Sequence, residues 1–240
     1  MITKKELSAI YRNDYFMEGT GEISIKETNL TNPNSDLKSL KLTGIDGEYL
    51  QISPQWLKDS NEPYNAKFNQ LKLFRRDCDS IILMNHKGVQ YALWLELKSG
   101  FDSATKEAMF QLVGSYIRSK TYLNAFSDFA SDHFVELAVV VGHPKKDDDI
   151  SASGNDMVLG VKRQHTPKNA TSIESLVTKY RRKLLTKNIT NIVAADFEVD
   201  RMPFAPSVTF DKLPFIHIVT EGQDCKMSID DILKNLEELK

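Results

Sequence analysis

The most constraining feature of the sequence is a pair of apolar, β-branched runs separated by a short turn, DSIILMNHKGVQYALWLELK at residues 79–98. Two such runs joined by turn residues predict neighbouring antiparallel strands. Side chains alternate between the faces of a strand, so Glu96 and Lys98 share one face while Leu95 and Leu97 point into the opposite layer. The pattern therefore places a carboxylate and an ammonium group side by side in a segment otherwise suited to burial.

The elements that follow this pair predict an α/β fold with helices against a sheet. A helix capped by Asp102 or Ser103 is predicted from one apolar face at helical spacing, formed by Met109, Leu112, Val113, Tyr116 and Ile117. The run FVELAVVVG at 134–142 has the length and composition of a buried strand. Further along, SIESLVTKYRRKLLTK predicts a helix, PFIHIVT a strand, and SIDDILKNLEELK a closing helix capped by Ser228.

Composition is compatible with one α/β domain. The chain has 240 residues, 41% of them apolar, which suffices for a substantial core. We expect a single domain over 1–240, with a core at about 70–220 and an N-terminal decoration at about 1–69. The first 70 residues contain the polar stretch TNLTNPNSD at 28–36, and the weakly apolar runs around it predict either strands or short helices.

Charge, cysteine content and hydropathy narrow the class of protein. The formal net charge of −2 gives no overall attraction to a polyanion, so nucleic-acid binding would need a local basic cluster. Two cysteines and five histidines without ligand spacing predict neither a disulfide framework nor a zinc site. The absence of a signal peptide and of a long apolar span predicts a cytoplasmic protein without membrane contact.

Asp79 completes a candidate site with Glu96 and Lys98. Antiparallel pairing brings the start of one strand beside the end of its neighbour, so Asp79 is expected near Glu96. Hard divalent cations such as Mg²⁺ bind through one or two carboxylates, waters and substrate phosphate, which is what this cluster offers. A structural ion pair between Lys98 and either carboxylate is the alternative.

This arrangement resembles the PD-(D/E)xK nuclease superfamily, in which an Asp opens one strand and a Glu-x-Lys closes the next. The resemblance covers about residues 75–142, with Cys78 where the family name has a Pro. It implies a restriction-endonuclease-like core, with a central mixed β-sheet flanked by helices, and hydrolysis of phosphodiester bonds with Mg²⁺ or Mn²⁺. Catalysis would then fall to Asp79, Glu96 and Lys98, with metal ligands from Asp79, Glu96 and the backbone carbonyl of Leu97.

Other residues are expected around this site. Gln111 resembles a Gln that some family members place near the site on the following helix, although the spacing to Tyr116 differs by one residue from that of the helicase-linked members. Asp77 is a rival to Asp79, because both lie on one face if the strand begins early. Candidate phosphate contacts are Arg75 and Arg76, just before the site, and the basic helix residues Lys179, Arg181, Arg182 and Lys183.

The sequence favours a Mg²⁺-dependent nuclease acting on nucleic acid, with DNA suggested by the family resemblance alone. The alternative is a non-cleaving module that binds nucleic acid or a protein on a nuclease-like fold, and a third reading is an interaction domain whose charged trio is a buried ion network. The oligomeric state is open, with a homodimer as one possibility. Thermal stability with and without metal separates these hypotheses.

Overall fold

The computed structural model describes residues 1–27, 37–59, 76–98, 107–127, 129, 133–143, 173–202 and 204–239. In this part of the chain, eight strands form one open mixed sheet flanked by helices. The strands are β1 (Phe16–Lys26), β2 (Ser39–Ile52), β3 (Ser80–His86), β4 (Val89–Lys98), β5 (Phe134–Gly142), β6 (Ile189–Val193), β7 (Lys212–Val219) and β8 (Asp224–Ser228). The helices are α1 (Lys4–Ser8), α2 (Pro54–Asp59), α3 (Met109–Leu123), α4 (Ile173–Thr186) and α5 (Ile229–Leu233), and short 3-10 turns cover Asn13–Tyr15, Ala194–Phe197, Val199–Arg201, Pro206–Val208 and Lys234–Leu239.

The strands follow the order β1-β2-β3-β4-β5-β7-β6, and β8 pairs in parallel with the first part of β2. The hairpin β3–β4 is antiparallel, whereas β4, β5 and β7 run parallel to one another. The sheet therefore turns from antiparallel to parallel at β4, which lies between β3 and β5 near the middle of the strand order. Strand β4 is buried along most of its length, in agreement with its continuous apolar composition.

The predicted order of strand, strand, helix and strand is confirmed for β3, β4, α3 and β5. The proposed caps Asp102 and Ser103 lie outside the described residues. Ser228 caps α5 as predicted, its side chain accepting a hydrogen bond from the Asp230 amide. The predicted closing helix changes at Lys234 to the tighter 3-10 form. Because a 3-10 helix has three residues per turn, it places the partly buried Leu233, Leu236 and Leu239 on the side that faces the core.

The N-terminal region, which the sequence left open between strands and helices, forms a long antiparallel hairpin of β1 and β2 together with α1 and α2. The second half of β2 pairs with β3, so this region extends the sheet that carries the candidate site. The polar stretch at 28–36 lies outside the described residues. The boundary predicted near residue 69 stays a prediction, although the strands before and after it belong to one sheet.

Alternating side chains of the sheet divide the core into two layers. One face of β4 packs Ala92 and Trp94 against α3, and the other carries Leu93, Leu95 and Leu97 toward α5. The assignment of Leu95 and Leu97 to the layer opposite Glu96 is thereby confirmed. None of the helices in the described ranges is both long enough and apolar enough to span a bilayer.

Gly47 provides a test of the close approach between β2 and β3. A Cβ atom at this position would lie 2.5 Å from the backbone carbonyl oxygen of Asn85. Neither strand can move away from this contact without disturbing the hydrogen bonds that pair β2 with β3. We expect Gly47→Ala to lower the free energy of unfolding by roughly 2–3 kcal/mol, as measured by urea denaturation.

Gly88→Ala is the matched control, because Gly88 has φ +76° but no heavy atom within 4 Å of the added methyl group. Backbone strain alone should cost that variant about 1 kcal/mol. An equal loss in both variants would contradict the proposed steric contact.

Candidate functional site

The site lies where β3 begins and β4 ends. Ser80 pairs with Leu95 across the antiparallel ladder, so the preceding residue, Asp79, lies beside Glu96. On the other side, Glu96 pairs with Val140 of β5, and Val140 pairs with His217 of β7. Residues paired across adjacent strands point to the same face. Asp79, Glu96 and His217 therefore occupy one row across the sheet, on the face covered by α3.

Asp79 is held by the backbone of the next strand. Its Oδ2 accepts a hydrogen bond of 2.8 Å from the Leu97 amide, and the residue is 5% exposed. The peptide between Glu96 and Leu97 is thus fixed against Asp79, which explains how the first carboxylate is kept next to Glu96. The side chain of Leu97 packs in the opposite layer, so this residue contributes only its backbone to the site.

Glu96 is a buried carboxylate with one cationic partner. Its Oε1 lies 2.5 Å from the Lys98 ammonium, and the Glu96 side chain is 2% exposed against 13% for Lys98. Burial raises the pKa of Glu96 well above its ordinary value, and the charge of Asp79 raises it further. Lys98 and Gln111 act in the opposite direction and lower this pKa. Glu96 is thus a carboxylate in a dry environment, paired with Lys98 through one of its two oxygens and placed beside a second carboxylate.

Two buried oxygens beside this pair lack a hydrogen-bond partner within the described ranges. They are Oε2 of Glu96 and Oε1 of Gln111. Gln111 lies close enough to affect the pKa of Glu96, but its NH₂ group donates instead to the Asp77 carbonyl at 3.0 Å. Unpaired buried acceptors are costly, and a cation or its bound water would satisfy both. This donor set suits a hard divalent ion.

One face of α3 fixes the segment that leads into β3. Gln111 donates to the Asp77 carbonyl, and the Ser115 hydroxyl accepts from the Cys78 amide at 2.8 Å. Arg118 reaches the Arg76 carbonyl at 2.7 Å and forms an ion pair with the Asp77 carboxylate. Residues 111, 115 and 118 are spaced by four and three, so they form one helical stripe. We call Gln111, Ser115 and Arg118 the α3 clamp.

Ser115 and Arg118 of the α3 clamp were missed by the sequence analysis. Their signal was present as two polar residues at helical spacing from Gln111, inside a helix whose neighbouring positions are apolar. A buried Arg needs a carboxylate, and Asp77 lies directly before the proposed site residue. The helix therefore positions Asp79 indirectly, by binding the backbone and side chain of the three residues before it.

The α3 clamp also separates the two aspartates that were rivals in the sequence. The Asp77 carboxylate is paired with Arg118, and burial still raises its pKa. The Asp79 carboxylate faces the Leu97 amide at the end of β4. Of the two, Asp79 is the one beside Glu96, while Asp77 lies against α3. This geometry favours Asp79 as the ligand and gives Asp77 a supporting position.

Two further ionisable groups share this end of the sheet. Burial raises the pKa of the Cys78 thiol far above its ordinary value, and the nearby carboxylates raise it further. A thiol in such a setting is a poor nucleophile, because the reactive form is the thiolate. Burial also lowers the pKa of His217 to about 4, which keeps its imidazole neutral. His217 lies next to Gly142, whose backbone approaches the Lys98 carbonyl. No role was predicted for His217, because only strand pairing brings it into this row.

The predicted phosphate contacts differ in their distance from the site. Arg75 lies outside the described residues, whereas Arg76 is exposed and adjoins the site through the α3 clamp. The basic helix is α4, which packs beside β6 at the edge of the sheet, three strands from β4. On it, Lys179 is bound to Asp196 at 2.6 Å, Arg181 is half-buried, and Arg182 and Lys183 are exposed. Of these predicted contacts, only Arg76 is described next to the carboxylates.

The described ranges contain no group of three or more His, Cys, Asp or Glu side chains that could hold a metal ion. A site built on Asp79 and Glu96 thus has two carboxylates, which is the number Mg²⁺ commonly uses when waters and phosphate complete its shell. Comparison of the chain with protein-family models, with curated proteins and with solved structures finds no match. Function is therefore argued from the site itself.

Arg118 offers a test of the α3 clamp. Arg118→Met keeps the length and apolar stem of the side chain but leaves the buried Asp77 carboxylate without its cation. We expect the free energy of unfolding to fall by about 3–5 kcal/mol in urea titrations at neutral pH.

Arg12→Met is the control, since the ion pair of Arg12 with Asp14 is exposed, with side chains 68% and 60% accessible. Its loss should leave the free energy of unfolding close to that of the parent protein, because exposed ion pairs contribute little. Similar losses in the two variants would mean that the Arg118 pair contributes no more than a surface contact.

Proposed function

We propose that this chain is a divalent-metal-dependent nuclease that hydrolyses phosphodiester bonds with Asp79, Glu96 and Lys98. The observation that carries the proposal is the buried Glu96 carboxylate, whose Oε2 has no hydrogen-bond partner among the described residues while Asp79 lies beside it. A buried carboxylate oxygen without a donor, next to a second carboxylate, favours a bound cation. Resemblance to PD-(D/E)xK nucleases in the order and spacing of these residues supports the same reading.

The residues that would hold Mg²⁺ or Mn²⁺ are Asp79, Glu96 and the backbone carbonyl of Leu97. Such an ion polarises a phosphate and lowers the pKa of a bound water, which supplies the hydroxide for hydrolysis. The protein keeps the two carboxylates in place through the Leu97 amide and the α3 clamp. These contacts hold both carboxylates together before any ligand arrives, so little reorganisation would be needed.

Lys98 lies at the edge of the site, where its ammonium group can reach a bound substrate. Its ammonium binds Glu96 yet remains partly exposed, at the last position of β4. If a metal ion were held by Glu96, the Lys98 ammonium could orient the attacking water or offset charge that grows on the phosphate. Electrostatic groups of this kind contribute most when they are held in a water-poor environment.

Nucleic acid is proposed as the substrate because of the family resemblance and the basic residues near the site. Arg76 is exposed directly before β3. The resemblance to restriction-endonuclease-like proteins suggests DNA. The overall charge of −2 means that binding would depend on a local patch and would weaken steeply with salt.

A non-cleaving module is the second candidate function. The ion pair between Lys98 and Glu96 satisfies both groups in part without a metal, as a structural network would. In that case the trio would stabilise the sheet, and the fold would bind a nucleic acid or a protein without cutting. The two functions differ in their response to divalent metal.

The first test measures that response. We expect Mg²⁺ or Mn²⁺ to raise the melting temperature of the parent protein by several degrees, because a ligand at 100 times its Kd adds about 2.7 kcal/mol to stability. Glu96→Gln should keep the fold and lose this shift. If the trio is only an ion network, the variant should instead lose about 3–5 kcal/mol and metal should have no effect on either protein.

Glu136→Gln is the matched control for this experiment. Glu136 also pairs with a lysine, Lys120, but lies near the beginning of β5, at the opposite end of the sheet from Glu96. Its replacement should leave the metal-induced shift unchanged. Loss of the shift in this control would show that metal acts through general stability.

The second test measures cleavage of labelled single-stranded DNA, duplex DNA and RNA with Mg²⁺ or Mn²⁺. We expect Lys98→Ala to retain its fold and to reduce the rate by about 10²–10³-fold, the usual effect of removing one group that stabilises transition-state charge. No cutting of any substrate by the parent protein, under conditions in which metal stabilises it, would contradict the nuclease assignment.

A further inference from the structure

A cleft of about 520 Å³ opens beside Asp79, between the start of β1, the end of β2 and helix α2. Its lining includes the polar residues Ser24, Gln51, Ser53 and Gln55, and Asp79 forms part of its wall. The cleft thus connects solvent to one carboxylate of the proposed site. It lies toward the β1 edge of the sheet, on the side of Asp79 away from β5.

Two lysines give this cleft a positive lining. Lys26 at the end of β1 and Lys58 in α2 both contribute to its wall, and both are exposed. Within the described ranges, neither ammonium lies in an ion pair with a carboxylate. Lys58 is close enough to Asp77 to lower the pKa of that carboxyl group, which places its charge next to the segment that leads into the site.

The acidic groups near the cleft already have hydrogen-bonding or cationic partners. Asp14 forms an ion pair with Arg12, and Asp59 accepts hydrogen bonds from Tyr15 and Gln55. The remaining carboxylate of the lining is Asp79, which the proposed function assigns to a metal. Asp59 keeps its charge but does not line the cleft, so Lys26 and Lys58 are the lining cations that can offer an anion a local positive potential.

We propose that this cleft binds the sugar–phosphate backbone of one nucleic-acid strand next to the scissile phosphate, with Lys26 and Lys58 as phosphate contacts. The inference rests on the proposed function, which assigns Asp79 to the catalytic site. The volume lies within the range of about 300–1,000 Å³ of small-ligand pockets. A short piece of a single strand fits such a space, and a double helix does not. The Ser24 hydroxyl adds a hydrogen-bonding group suited to phosphate and sugar oxygens, whereas the side-chain amides of Gln51 and Gln55 already donate to other groups of the protein.

The test is fluorescence anisotropy with a labelled single-stranded DNA of about 20 nucleotides, longer than the site sizes of about 4–16 nucleotides usual for single-strand binding. Binding is measured without divalent metal, so that no cutting occurs, over a series of salt concentrations. We expect the double variant Lys26→Ala/Lys58→Ala to bind roughly tenfold more weakly, and the slope of log affinity against log salt to fall by about 1.4, which is about 0.7 for each lost contact.

The control is Lys87→Ala/Lys212→Ala, which removes the same charge at the other end of the sheet. Lys87 lies in the turn between β3 and β4, and Lys212 begins β7. Circular dichroism and melting temperatures check that both variants fold. The control should bind as the parent does, with the same salt slope.

The outcomes separate this inference from the proposed function. If the parent cuts nucleic acid and the cleft variant binds as tightly as the parent or the control, the cleft inference fails and the nuclease stands. If binding falls only in the cleft variant but the parent cuts nothing with Mg²⁺ or Mn²⁺, the cleft binds a strand and the nuclease assignment fails. A parent without measurable affinity for the single strand overturns the cleft inference.

Discussion

Burial of a carboxylate in the middle of a sheet is the constraint on which the site depends. Glu96 lies on a strand with neighbours on both sides and a helix over its face, so it has almost no contact with water. Such a group keeps its charge only if the protein surrounds it with cations and donors. The protein supplies Lys98 and leaves one oxygen of Glu96 without a partner in the described ranges. That unpartnered oxygen is the observation on which the proposal of a bound cation depends.

The surrounding structure keeps this costly arrangement in place. The Leu97 amide holds Asp79, and α3 holds the residues before it through backbone and side-chain contacts. These contacts come from a strand and a helix whose positions are set by apolar packing, so the geometry of the site depends on the core. The charged groups add little net stability, because desolvation offsets most of their attraction. Packing stabilises the fold, and part of that stability is used to hold charges together.

Much of the site could be predicted from the sequence, because the rules that place its residues act between residues close in the chain. Strand alternation placed Glu96 and Lys98 on one face, and the hairpin placed Asp79 beside them. The long N-terminal hairpin was not predictable, because its polar and glycine-containing strands lack a clear period, and its place in the sheet depends on pairing with β3. His217 was missed for a related reason. Its position depends on pairing among β4, β5 and β7, which no local spacing encodes.

The parallel pairing of β8 with β2 joins segments more than 180 residues apart, as the contact between Ser39 and Asp224 shows. Contacts so distant in sequence close late, because the chain must lose much conformational freedom before they form. Until β8 joins the sheet, the first part of β2 has β1 on one side and an open edge on the other, because β3 pairs only with its second part. An open strand edge can pair with a strand of another molecule. Once formed, the pairing of β8 therefore protects the long N-terminal hairpin from association with other chains.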